Sequence, residues 1–140
     1  MKLSTKGRYG VKAMVDLAIN YVTEPVSIKS ISERQNISEY YLEQLFSTLR
    51  KGGLIKSIRG AQGGYVLSKE PSETTISEIM ELLEGPVEIS SCLEEDSCNN
   101  IAECPTRILW VRMKESIEKV MSSTTLQDMI DDYNNMKKIK

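Results

Sequence analysis

Three cysteines, Cys92, Cys98 and Cys104, stand at equal C-x5-C-x5-C intervals, and the chain holds no others. An odd number of closely spaced thiols does not close a disulfide framework. Thiolates are, however, the preferred ligands of iron–sulfur clusters and of zinc. The chain has no histidine. Ser-His and Cys-His nucleophile pairs, histidine bases and histidine metal ligands are therefore excluded, and the reading is not that of an enzyme. Three thiolates and water could also hold zinc, but structural zinc usually has four closed protein ligands.

A second set of candidate residues lies some fifty positions upstream. Leu42, Leu45, Phe46 and Leu49 follow i, i+3, i+4, i+7 spacing and predict a helix with that face inward. Glu39, Tyr40, Glu43, Gln44, Ser47 and Arg50 then face outward. On a recognition helix, Gln44 can bond adenine bidentately and Glu43 can accept from the cytosine amino group. Ser38 and Tyr40 suit phosphate. Downstream, Lys56 and Arg59 flank Gly60-Ala61-Gln62-Gly63-Gly64. This tip has almost no side-chain bulk, so Gly60 and Gly63 can come close to a DNA backbone. Arg59 can enter a narrow minor groove, where negative potential is enhanced.

The elements that must position these residues can be read from the pattern. Val11, Met14, Val15, Ala18, Tyr21 and Val22 predict a first helix over residues 5–22, closed before Pro25. Ser27 caps a short helix, and Asn36-Ile37 make the turn. Ser38 caps the recognition helix and Gly52-Gly53 stops it. Residues 54–59 and 65–67 read as two strands. The expected class is mainly α with a small β-hairpin: a winged helix-turn-helix over 1–70, joined to a second half over 71–140.

In that second half, Thr75-Ile76-Ser77-Glu78 matches a capping box. Residues 88–104 read as the cysteine loop. Pro105 suits the first turn of a long helix over 105–122, with Trp110, Met113, Ile117, Val120 and Met121 as its stripe and Ile108, Leu109 and Val111 widening it. So apolar a helix in a small protein is deep in a core or shared with another chain, and a homodimer is expected. Thr125 caps a last helix, and the tail from Met136 frays.

Net charge is −2, but its distribution is uneven. Residues 1–70 carry 11 Lys and Arg against 6 Asp and Glu, whereas residues 71–140 carry 7 against 14. A basic front half on an acidic body fits a double-stranded DNA operator as partner. No run approaches the roughly 18 apolar residues of a membrane span, and the N-terminus lacks a signal-peptide core, so the expected location is the cytoplasm.

Lys2-Leu3-Ser4-Thr5-Lys6-Gly7-Arg8-Tyr9-Gly10, Ile37-Ser38-Glu39-Tyr40-Tyr41-Leu42-Glu43-Gln44-Leu45 and Ser57-Ile58-Arg59-Gly60-Ala61-Gln62-Gly63-Gly64-Tyr65 resemble the bacterial winged-helix regulators that include IscR, NsrR and CymR. The resemblance covers nearly the whole chain. It implies a dimeric repressor, DNA contacts that include Tyr41, Glu43, Gln44 and Arg59, and cluster ligation by Cys92, Cys98 and Cys104.

Members of that family point in different directions. The cysteine spacing resembles IscR, which carries a [2Fe-2S] cluster and controls iron–sulfur assembly genes; that cluster type is favoured over [4Fe-4S]. NsrR uses three such cysteines around a [4Fe-4S] cluster as a nitric-oxide sensor. CymR lacks them and represses cysteine metabolism with a cysteine synthase, and the wing and Ser123-Thr124-Thr125-Leu126 resemble it. A cluster-free repressor acting through a metabolic enzyme partner such as a cysteine synthase, and a nitric-oxide sensor of the NsrR kind, are thus the alternatives. The chain departs from the family at the fourth ligand. Arg107 occupies the histidine position of IscR, and Arg8 occupies the place of an N-terminal carboxylate used by some relatives. Glu94, Glu95, Asp96, Glu103, solvent or a small thiol are the candidates that remain.

Overall fold

A computed structural model describes residues 3–94 and 103–138. Helix α1 spans Thr5–Asn20, α2 Ile28–Gln35 and α3 Glu39–Lys51. Strands β1 (Ile55–Ile58) and β2 (Gly64–Leu67) follow, and a single 3-10 turn, Pro71–Glu73, leads into α4 (Ile76–Glu84). Beyond it lie α5 (Ser91–Glu94), α6 (Pro105–Ser123) and α7 (Leu126–Lys138).

Each helix start of the head is made by a serine. The side chains of Ser4, Ser27 and Ser38 accept from the backbone N–H of Gly7, Ser30 and Tyr41, all at 3.1 Å. Each satisfies a donor that a helix start would otherwise leave bare. Asn36 ends α2 in the left-handed conformation, φ 55°, which Asn tolerates better than most residues. It makes the sharp turn between α2 and α3.

Ala13, Met14, Leu17, Ile31, Leu42, Leu45, Phe46 and Leu49 are buried together. Leu54 and Ile55 close this core from the hairpin side, and Ile79, Leu83 and Leu126 reach it from the second half. Burying one such large side chain contributes about 1.5–3 kcal/mol. The hairpin pairs antiparallel, with Ile55 opposite Leu67 and Ile58 opposite Gly64. Its inner edge is tied to the α1–α2 connection, where Val26 and Tyr65 exchange backbone hydrogen bonds of 2.9 and 2.8 Å. Tyr65 stands edge-on to Phe46, with ring centres 5.0 Å apart.

Several expectations need adjustment. Helix α1 stops at Asn20, not residue 22, because Tyr21 is already extended; Tyr21 and Val22 are exposed. The inward face of α1 is instead Ala13, Met14, Leu17 and Ala18. The capping box of α4 is half made: Thr75 Oγ1 accepts from the Glu78 N–H at 3.2 Å, but the Glu78 carboxylate turns to Lys69 at 3.0 Å. The reciprocal box occurs at α7, where Thr125 and Asp128 each accept from the other's backbone N–H. Helix α7 continues to Lys138 where fraying was expected from Met136, and the short helix α5 interrupts the expected loop 88–104.

Candidate nucleic-acid interface and metal centre

The recognition face follows from the burial of α3. With Leu42, Leu45, Phe46 and Leu49 inward, Glu39, Tyr40, Glu43, Gln44 and Arg50 stand exposed, and Ser47 is half-buried. Tyr40 projects furthest of the apolar side chains here, at 73% exposure. Ser38 is exposed and accepts from Tyr41 N–H, which leaves its hydroxyl able to donate to an outside acceptor. Tyr41 is half-buried and stands edge-on to Tyr9 of α1, with centres 6.0 Å apart at 86°. Its ring therefore locks α1 to the start of α3, a role beyond the contact that the resemblance implies.

Lys56 on β1 and Arg59 after it are both exposed. Among the described residues neither has an ion-pair partner, so their charges are not committed within the fold. The tip between the strands turns on two glycines. Gly60 takes φ 113°, which side-chain-bearing residues rarely adopt, and a Cβ on Gly63 would run into the carbonyls of Ile58 and Gly60. The thin tip is thus a backbone requirement as well as a surface suited to a groove.

Beneath this surface lies a charge that sequence reasoning passed over. Asp16, 3% exposed, sits on the inward side of α1. Arg34 reaches it with Nη2 at 2.7 Å and Nε at 3.0 Å, and Gln35 Nε2 donates at 2.8 Å. Both donors are in the last turn of α2, so the cluster fixes α2 against α1. The pair holds the Arg34 guanidinium above its ordinary pKa, chiefly through the hydrogen bond to Asp16. The signal was available: a carboxylate set among Ala13, Met14, Leu17 and Ala18 needs a partner.

The cysteines lie on the other half. Cys92 is in α5 and Cys104 is the residue before Pro105 that opens α6; α5 and α6 pack together. Both thiols are half-buried and outside any disulfide. Cys98 lies outside the described residues, as do Glu95 and Asp96, and among the described residues no three acidic, thiol or imidazole groups converge. The Cys104 sulfur is 3.0 Å from Thr106 Oγ1. That hydroxyl, and next the Arg107 N–H of the first turn, hold the thiol below its ordinary pKa and favour thiolate, the ligand form. Two soft donors, one in α5 and one opening α6, on helices that pack together, fit a thiolate-bound group. Arg107 is half-buried beside them. Glu103, a candidate for the open position, is exposed.

A helix-turn-helix with a glycine-tipped wing, an exposed polar recognition face and uncommitted cations on the wing defines a winged-helix transcription regulator. The comparisons with known proteins agree. The chain belongs to the Rrf2 family: the model described as "Iron-dependent Transcriptional regulator" matches residues 3–132. It is 48% identical to the HTH-type transcriptional regulator CymR of Bacillus subtilis over 129 residues, covering 92% of this chain and 89% of that one. It is 41% identical to IscR of Klebsiella pneumoniae over 132 residues, covering 94% and 81%. Among solved structures, CymR, the global cysteine regulator of B. subtilis, superposes with TM-score 0.79 at 46% identity, covering 94% and 97%. IscR of T. potens superposes with TM-score 0.78 at 47%, covering 95% and 88%. These relatives are transcription regulators and not enzymes. No helix of the described residues is long and apolar enough to cross a membrane.

Proposed function

We propose that this regulator is a dimeric repressor whose operator binding is modulated by an iron–sulfur cluster on Cys92, Cys98 and Cys104, with [2Fe-2S] favoured. The observation that carries the reading is the position of Cys92 in α5 and Cys104 at the start of α6, two helices that pack together, with the Cys104 thiol biased toward thiolate. Helix α6 in turn packs on α4, and α4 on α1 of the head. The bound group would join Cys98 to these elements and supply a redox- or iron-sensitive link.

The chain's own residues do the DNA work. Helix α3 enters the major groove, where Gln44 and Glu43 meet base edges and Ser38, Tyr40, Tyr41 and Arg50 lie along the backbone. The wing sets Lys56, Arg59, Gly60 and Gly63 against the neighbouring minor groove. The dimer is supported by α6, which buries none of its residues within the chain and exposes Ile108, Leu109 and Val120. Burying that face against a second copy would place two recognition helices on a pseudo-palindrome with half-sites roughly 34 Å apart.

The test is operator binding by cluster-loaded, apo and triple-alanine protein at one salt concentration, alongside the anaerobic visible spectrum. A brown protein whose affinity differs between loaded and apo forms supports the reading. Equal affinities on every operator refute it. The 48% identity to CymR favours a second reading, a cluster-free repressor acting through a metabolic enzyme. A colourless protein that co-purifies with such an enzyme would decide for that reading.

A further inference from the structure

Three consecutive residues at the end of α4 each meet a glycine of the head. Leu82 lies against Gly52, which ends α3; Leu83 lies against Gly10 and Glu84 against Gly7, both in α1. A Cβ at any of the three glycines would collide with the facing side chain. Such glycines let a second element approach closely, so the end of α4 is seated on the head at three adjoining points.

Glu84 adds a polar hold. Its Oε1 accepts from the backbone N–H of Ser4 at 3.2 Å and of Gly7 at 3.1 Å, and from the Ser4 hydroxyl. Ser4 is itself the cap of α1. A carboxylate at this helix start satisfies donors that the helix cannot and meets the positive end of its dipole. Two residues beyond Gly7, Tyr9 stands against Tyr41 in the first turn of α3. The end of α4 therefore reaches the start of the recognition helix through α1 and its finish through Gly52. On the other side, Gly85 turns with φ 83°, and Cys92 follows eight residues after Glu84.

We propose that Glu84 is a positioning residue for DNA binding: seated with Leu82 and Leu83 on Gly7, Gly10 and Gly52, it holds α1 and through it the recognition helix, and it carries changes in the state of the cysteine ligands to the DNA-reading face. The second half of this statement rests on the cluster reading above; the first half does not. A coupling can pass only if the cluster-bound and cluster-free forms interact differently with the head. The Glu84 contacts are the polar ones that join this end of α4 to α1. Losing them leaves the leucines in place and frees the α1 start.

The experiment uses a duplex selected from a random-sequence pool by the wild-type protein. Affinity is measured at one salt concentration for wild type, Glu84→Ala and Glu84→Gln, each apo and after anaerobic loading with ferrous iron and sulfide. In the apo protein Glu84→Ala should weaken binding about fivefold or more, with thermal midpoint and dimer mass near wild type, and Glu84→Gln, which keeps the acceptor, should restore most of it. Where loading changes wild-type affinity by about fivefold or more, Glu84→Ala should bring that ratio to within about twofold, while its visible spectrum stays that of wild type. Unchanged apo affinity in Glu84→Ala overturns the positioning role. A fully retained loaded-to-apo ratio overturns the transmitting role. A wild type that takes up no cluster, or shows no dependence on it, refutes both the cluster reading and the transmitting role, and the apo comparison still decides the positioning role. Gly7→Ala supplies an independent check. Its methyl displaces the same carboxylate, so the double variant should lose no more than the worse single, and additive losses would count against a shared contact.

Discussion

Replacing Arg59 by alanine removes one exposed cation from the wing tip and little else. Arg59 has no ion-pair partner among the described residues, so the fold should not register its loss. Each phosphate that a protein neutralises adds about 0.9 to the slope of log affinity against log salt. If Arg59 meets one phosphate, its contribution at 0.1 M salt is about eightfold larger than at about 1 M, and between about 50 and 200 mM it shrinks by about 3.5-fold. Lys56 is exposed on the same hairpin, so Lys56→Ala with Arg59→Ala should lower the slope by about 1.8. Fluorescence anisotropy on a labelled operator duplex at four salt concentrations measures this, with thermal unfolding as the control. A minor-groove contact would add a dependence on the width of the flanking groove, seen by exchanging A·T for G·C there. An Arg59→Ala loss that is identical at every salt concentration would refute the phosphate contact. No loss at all would remove the wing tip from the interface.

Glu43→Ala should relax base preference at one position per half-site while non-specific binding holds or tightens, because a negative charge leaves the DNA face; selection from a randomised operator shows it, and equal weakening on all sequences would contradict the base-reading role. Asp16→Ala breaks the tie between α1 and α2, and since Arg34 is 38% exposed and can regain water, the cost should be about 2–3 kcal/mol, below that of a fully buried pair, read from urea unfolding. Thr106→Val removes the first cause of the lowered Cys104 pKa, so the pH midpoint for alkylation of Cys104 in apo protein should rise. The sign follows from charge: the hydroxyl stabilises thiolate, and without it the thiol keeps its proton to higher pH. A midpoint that stays put or falls would contradict the Thr106 contact.

The helix-turn-helix was legible because its signals are local. Ser27 and Ser38 cap their helices through side chains that act within three residues, and the Leu42–Leu49 stripe repeats at the helical period. The hairpin was legible from its glycines for the same reason. The outward set Glu39, Tyr40, Glu43, Gln44 and Arg50 followed once the inward stripe was known. The end of α1 was misread because apolar Tyr21 and Val22 fit the helical spacing, while the backbone had already turned away.

Tertiary structure alone decided what depends on distant partners. The sequence by itself determined which residues could be donors, acceptors and ligands: a lone acid at position 16, a glutamate at 84, glycines at 7, 10 and 52, and three evenly spaced thiols. Only folding brought Arg34 to Asp16 and Glu84 to Ser4, 18 and 80 residues apart, and set three α4 side chains against three glycines. Local spacing reports which face of an element is apolar. It carries no information on which other face will meet it, because that pairing is settled by packing the whole core at once.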